Sequence, residues 1–123
     1  MHMDERIYLC RSDELVDRGL AVPFDVNYGG QTCRGFAVRV GLRVRAYLNR
    51  CAHVAMEMDF QPNRFWDETG QWLICATHGA VYDPLSGQCK GGPCKGGLIP
   101  IQTSETEGQV HWHTAYNLKP LDF

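Results

Sequence analysis

The sequence predicts an all-β fold, an antiparallel sandwich or partial barrel of about nine short strands. Three observations predict it. Apolar residues recur with a period of two, as in Val22, Phe24, Val26 and Tyr28, and again in Val44, Ala46 and Leu48. Turn signals separate such runs: Gly29-Gly30, Gly41 and Asp67-Glu68-Thr69-Gly70. Helical signal is almost absent. At 123 residues the chain forms one domain, residues 1–123, with room for a modest core.

Taken in order, Arg6 to Cys10 is short and apolar and makes a first strand. Ser12 can cap a brief helix through Asp13–Arg18, which Gly19 ends. Ala21 to Tyr28 is a half-buried strand, and Pro23 suits its edge or its start. After the Gly29-Gly30 turn, Thr32 to Val40 returns beside it. Arg43 to Asn49 alternates again and leads directly into Cys51. Arg64 to Cys75 reads as strand, turn and strand. Its aromatics Phe65, Trp66 and Trp72, with Phe60 before them, are expected to pack a small subdomain. Leu98 to Thr103 and Gln109 to Thr114 make a last hairpin across Glu105–Gly108, and a tail from Ala115 to Phe123 wraps over the surface. There are no repeats and no low-complexity stretch.

Composition excludes several classes. Fourteen acidic against twelve basic residues give a formal net charge of −2. The basic residues are scattered, without the interleaved aromatics of a nucleic-acid surface. No apolar run reaches a membrane span. The first ten residues carry acids at positions 4 and 5 and no apolar h-region, so no secretory signal is expected there. The expected location is cytoplasmic.

The chemistry gathers between Cys51 and Tyr82. Cys51-Ala52-His53 is followed, after 21 residues, by Cys75-Ala76-Thr77-His78. Two thiolates and two imidazoles in two short clips form a metal-ligand set. Zinc takes two sulfurs and two nitrogens, usually spaced as Cys-x(2–4)-Cys and His-x(3–5)-His. Here cysteine and histidine alternate. One intervening residue is tight for both side chains to hold one ion, and suits a two-metal unit with sulfur on one iron and imidazole on the other.

At these positions the chain resembles the Rieske [2Fe-2S] family, over about Val44 to Ile101. Thr77–Gly87 continues the family's His-Gly turn, aromatic, Asp and Gly turn, and Gly91–Ile101 matches its Gly-Pro loop and following strand. The resemblance implies one cluster per chain, with Cys51 and Cys75 on the buried iron and His53 and His78 on the outer one. It implies a Rieske fold: a basal antiparallel β domain with a cluster-binding subdomain inserted at about residues 50–97. Departures are informative. The gap between clips is a few residues longer than in compact Rieske ferredoxins. Val54, Ala55 and Met56 stand where a glycine is common. The bc type has a cysteine pair near the positions of Met56 and Thr77, so that disulfide is expected to be absent. Its serine donor to a bridging sulfide is Ala80, while the tyrosine donor to a ligand cysteine is kept as Tyr82. Fewer hydrogen bonds to the sulfurs mean a lower potential. The expectation is the lower part of the family range of about −150 to +300 mV, and below roughly +150 mV.

Four further cysteines remain. Cys10 and Cys33 read as core filler. Cys89 and Cys94 are expected to be free and packed in the loop over the cluster, although further ligation or a redox pair was open to them. His111 and His113, two apart, share one strand face and could bind a metal, but no further ligand accompanies them and surface histidines on a strand are commoner.

The resemblance implies an electron carrier, with no catalysis of its own. A flavin-dependent reductase would supply electrons, and a terminal oxygenase or similar acceptor would dock at His53 and His78. The two imidazoles should deprotonate more readily beside ferric iron, so the potential falls as pH rises. Only 22 residues follow Ile101, too few for the mononuclear iron domain of a ring-hydroxylating oxygenase, and no N-terminal membrane anchor is expected. Two other readings stay open: a small subunit resembling that of nitrite reductase, and a zinc-stabilised binding module.

Overall fold

The computed structural model describes residues 5–49, 64–75, 79–92, 96–115 and 117–120. These hold eleven short strands and one 3₁₀ turn, with no α-helix among the described residues. The strands are β1 Arg6–Arg11, β2 Val22–Tyr28, β3 Gln31–Val40, β4 Arg43–Leu48, β5 Leu73–Ile74 and β6 Val81–Tyr82. They continue as β7 Cys89–Gly91, β8 Pro100–Ile101, β9 Thr103–Thr106, β10 Gln109–His113 and β11 Leu118–Lys119. Every named pairing is antiparallel.

Three sheets result. The largest has the order β11-β2-β3-β4-β8, and β1-β10-β9 and β5-β6-β7 form the other two. Side-chain alternation decides how they layer. On β3, Phe36, Val38 and Val40 join one apolar cluster with Phe65, Leu73, Cys75, Ala80 and Tyr82. Ala37, between them, joins the other, with Val26, Val44, Ala46, Leu48, Val110 and Trp112. The five-stranded sheet is therefore the middle layer, apolar on both faces. This is why Gly35 to Val38 is buried without interruption. Phe36 stacks on Phe65, with ring centroids 3.8 Å apart and planes 6° off parallel, and so joins the middle layer to the sheet of Cys75.

Several expectations hold. The Gly29-Gly30 turn takes positive φ at both residues, 57° and 86°, as a tight hairpin requires. Val44, Ala46 and Leu48 do share one buried face. Phe65 to Ile74 is a hairpin: Ile74 N–H donates to Phe65 C=O at 2.7 Å, and Asp67 N–H to Trp72 C=O at 2.9 Å. Of its aromatics, Phe65 is wholly buried and Trp66 packs against the same cluster, while Phe60 lies outside the described residues.

Others are corrected. The helix expected after Ser12 is only a 3₁₀ turn, Ser12–Glu14, with Arg11 at its N-cap. The chain cannot continue as a helix because Arg39 takes its carbonyls: Nε donates to Leu15 C=O at 2.6 Å and Nη2 to Ser12 C=O at 3.0 Å. The last hairpin is divided at Gln102. Pro100–Ile101 pairs with β4, while Thr103–Thr106 pairs with β10. The tail does not merely lie on the surface: Leu118 and Lys119 pair with Tyr28 and Asn27 and extend the middle sheet.

Candidate metal centre

The third sheet, β5-β6-β7, lies wholly between β4 and β8 in the sequence. Its entry and exit are joined by a hydrogen bond from Leu48 N–H to Ile99 C=O, 3.0 Å. Asn49, next in the chain and buried, donates its N–H to Arg34 C=O at 2.8 Å. The stretch carrying the first clip thus starts from a fixed point. Cys51 and His53 themselves lie outside the described residues, as do His78, Met56, Thr77 and Cys94.

Cys75 follows β5 and is fully buried, at 0 % exposure. Its N–H donates to Ala80 C=O, and Gly79 N–H donates back to Cys75 C=O, both at 2.8 Å. Gly79 has φ of 74°, a left-handed value that glycine adopts freely, and it leads the chain back into β6. Ala80 and Tyr82 follow, both wholly buried. Tyr82 pairs with Leu73 on one side and Cys89 on the other.

The glycine-rich segment packs on this turn backbone to backbone. A Cβ on Gly92 would lie 2.8 Å from both Gly79 O and Ala80 Cα, and φ there is 82°. A Cβ on Gly97 would lie 2.5 Å from Gly87 O. No larger residue fits either place. The sequence marked this segment by its Gly-Pro motif, but not which glycines make the contact.

One cysteine expectation is overturned. Cys89 is disulfide-bonded, not free, and its partner lies outside the described residues. The reading of Cys89 as a small, free, packed side chain is the one that fails. Cys10 is the buried filler expected, its thiol pushed up to about 11, chiefly by burial. Cys33 is partly buried against the same cluster. His111 is buried rather than on the surface, and His113 sits within 2.8 Å of Ser104 Oγ.

Among the described residues no group of three or more His, Cys, Asp or Glu could hold a metal. The cluster's fit therefore rests on Cys75. Its sulfur-bearing side chain is fully withdrawn from water, in a turn whose wall is glycine backbone. That setting suits a thiolate on the inner iron of a cluster with two histidines outward.

A family model described as Rieske [2Fe-2S] domain matches residues 5–105. The fold is similar to the ferredoxin of carbazole 1,9a-dioxygenase from Nocardioides aromaticivorans IC177, at TM-score 0.69 and 20 % identity, covering 87 % of this chain and 95 % of that one. It is similar to the Sphingomonas yanoikuyae B1 ferredoxin, at TM-score 0.66 and 20 % identity, covering 90 % of this chain and 100 % of that one. A chain in a structure described as the complex of reduced oxygenase and oxidised ferredoxin in carbazole 1,9a-dioxygenase matches at TM-score 0.68 and 20 % identity, over 95 % of this chain and 97 % of that one. No curated protein matches the sequence.

Proposed function

The chain belongs to the Rieske [2Fe-2S] family, and from that premise we propose that it is a one-electron carrier of the cytoplasm. It takes electrons from a flavin-dependent reductase and gives them to a terminal oxygenase or a similar acceptor. Cys51 and Cys75 would hold one iron, and His53 and His78 the other. When bound, the cluster supplies a single reversible electron. The observation that carries the reading is Cys75: wholly buried, at a glycine-walled turn, within a match that covers most of the chain.

The chain's own residues do the rest. Cys75 would hold the group on its buried side, and Phe36, Phe65 and Leu73, which share its apolar cluster, would keep water from that sulfur. Tyr82 would donate to a ligand cysteine and stabilise the reduced state. His53 and His78 would form the edge where the acceptor docks. A ferredoxin fold seen in complex with an oxygenase supports an acceptor of that kind.

The test is the EPR spectrum of the dithionite-reduced protein, purified without oxygen. A rhombic signal with an average g well below that of all-cysteine clusters is expected, with a midpoint potential below roughly +150 mV. A colourless, EPR-silent protein with stoichiometric zinc would overturn the reading.

A further inference from the structure

A cleft of about 480 Å³ lies at the seam of the middle sheet, the β6–β7 turn and the C-terminal segment. Small-molecule pockets run roughly from 300 to 1,000 Å³. Arg45 on β4 and His113 at the end of β10 reach it, and no Asp or Glu lines it among the described residues. Apolar wall is supplied by Leu85, Pro100 and Leu118.

Arg45 is held in place before any ligand arrives. Its Nε donates to Leu85 C=O at 3.2 Å and its Nη1 to Val44 C=O at 3.0 Å. Nη2 has no partner among the described residues. The Thr103 hydroxyl donates to Val44 C=O at 3.2 Å, which fixes another part of the rim. A guanidinium already ordered by backbone carbonyls loses little side-chain freedom on binding. Among the described residues, a fixed cation, no competing anion and an apolar wall select a ligand that is anionic at one end and apolar along its body.

We propose that this cleft binds a small carboxylate with an apolar body, its carboxylate on Arg45 Nη2 and its body against Leu85, Pro100 and Leu118. None of the described residues that line the cleft belongs to the Cys75–Ala80 turn, so the proposal does not rest on the electron-carrier reading.

The test is a titration of the isotope-labelled full-length protein with benzoate, followed by amide chemical shifts. Saturable shifts are expected at Arg45, Leu85, Thr103 and Thr114. Arg45→Gln should weaken binding about tenfold or more, the loss of one charge-assisted hydrogen bond. Arg43→Gln, exposed on the same strand, should leave it unchanged. Ala115→Trp, which fills the cleft from an exposed position and keeps Arg45, should abolish it, and it serves if the Arg45 variant does not fold. Shifts that do not saturate, equal benzoate affinity in Arg45→Gln, or equal affinity of the native protein for inorganic phosphate would each overturn the proposal.

Discussion

Tyr82 and Gly92 carry the most specific consequences at the scale of single residues. Tyr82 is fully buried, pairs with Leu73 and Cys89 and belongs to an apolar cluster, and in a buried setting a hydrogen bond counts for more than it does in water. If it donates to a ligand cysteine, Tyr82→Phe should lower the midpoint potential. One such bond is worth about 1 kcal/mol, or roughly 40 mV for a one-electron couple. Protein-film voltammetry reads the shift directly, and an unchanged potential would remove Tyr82 from the site. Gly92→Ala acts by space instead. The new methyl would meet Gly79 O and Ala80 Cα at 2.8 Å, at a φ that disfavours any side chain. The turn bearing the second clip must then move. Loss of the visible absorbance on dilution with a chelator should be faster than in the native protein, with the basal sheets still folded by far-ultraviolet circular dichroism.

Arg39 organises the elements around it. From β3 it reaches Leu15 and Ser12 carbonyls and pairs with Glu105 on β9, Nη2 to Oε2 at 2.7 Å. One side chain thus ties the 3₁₀ turn, the middle sheet and the β1-β10-β9 sheet. The hydrogen bond from Arg39 holds the Glu105 carboxyl below the ordinary glutamate range. A carboxyl with a lowered folded pKa binds its proton less readily when folded. Its contribution is therefore complete above the ordinary glutamate range and is lost as pH falls through the lowered value. Arg39→Met should cost roughly 1.5–3 kcal/mol at neutral pH. It should also flatten the acid side of the stability profile, as measured by urea unfolding at several pH values. At the opposite face, Trp66 Nε1 donates to Gly19 C=O at 3.0 Å. The Arg18 guanidinium lies 5.3 Å from the Trp66 ring centroid and donates to Gly70 C=O. The 65–74 hairpin is held against the base by polar as well as apolar contacts.

Over the whole molecule, the two apolar clusters on opposite faces of the middle sheet make the layers interdependent. Phe65 is in contact with the middle layer through Phe36. Phe65→Ala should cost about 3–5 kcal/mol, and colour and secondary structure should be lost in one thermal transition rather than two. Much of this architecture was legible in the sequence. Period-two alternation located β2 and β4, and Gly29-Gly30 and Gly41 located the turns on either side of β3, because both signals are local. Cys75 stood out because its clip with His78 is local too, and Tyr82 because the family pattern continues from that clip. What escaped depends on distant partners. The helix after Ser12 is pre-empted by Arg39, 27 positions away. Leu118 becomes a strand only because β2 offers an edge. Gln102 divides one apparent strand because two sheets claim its two sides. The burial of His111, in the middle strand of the β1-β10-β9 sheet, likewise depends on strands distant in sequence.

The bond between Leu48 and Ile99 has a consequence for how such chains diversify. It closes the neck of the long excursion from β4 to β8, so what lies beyond the neck is anchored independently of its length. Lengthening a closed excursion costs only with the logarithm of its size, about 0.6 kcal/mol per doubling. The neck thus makes the stretch between β4 and β8 a cassette. Its loops can grow, as the 21-residue gap between the clips has, or be grafted from a relative, while the frame that presents them keeps its register.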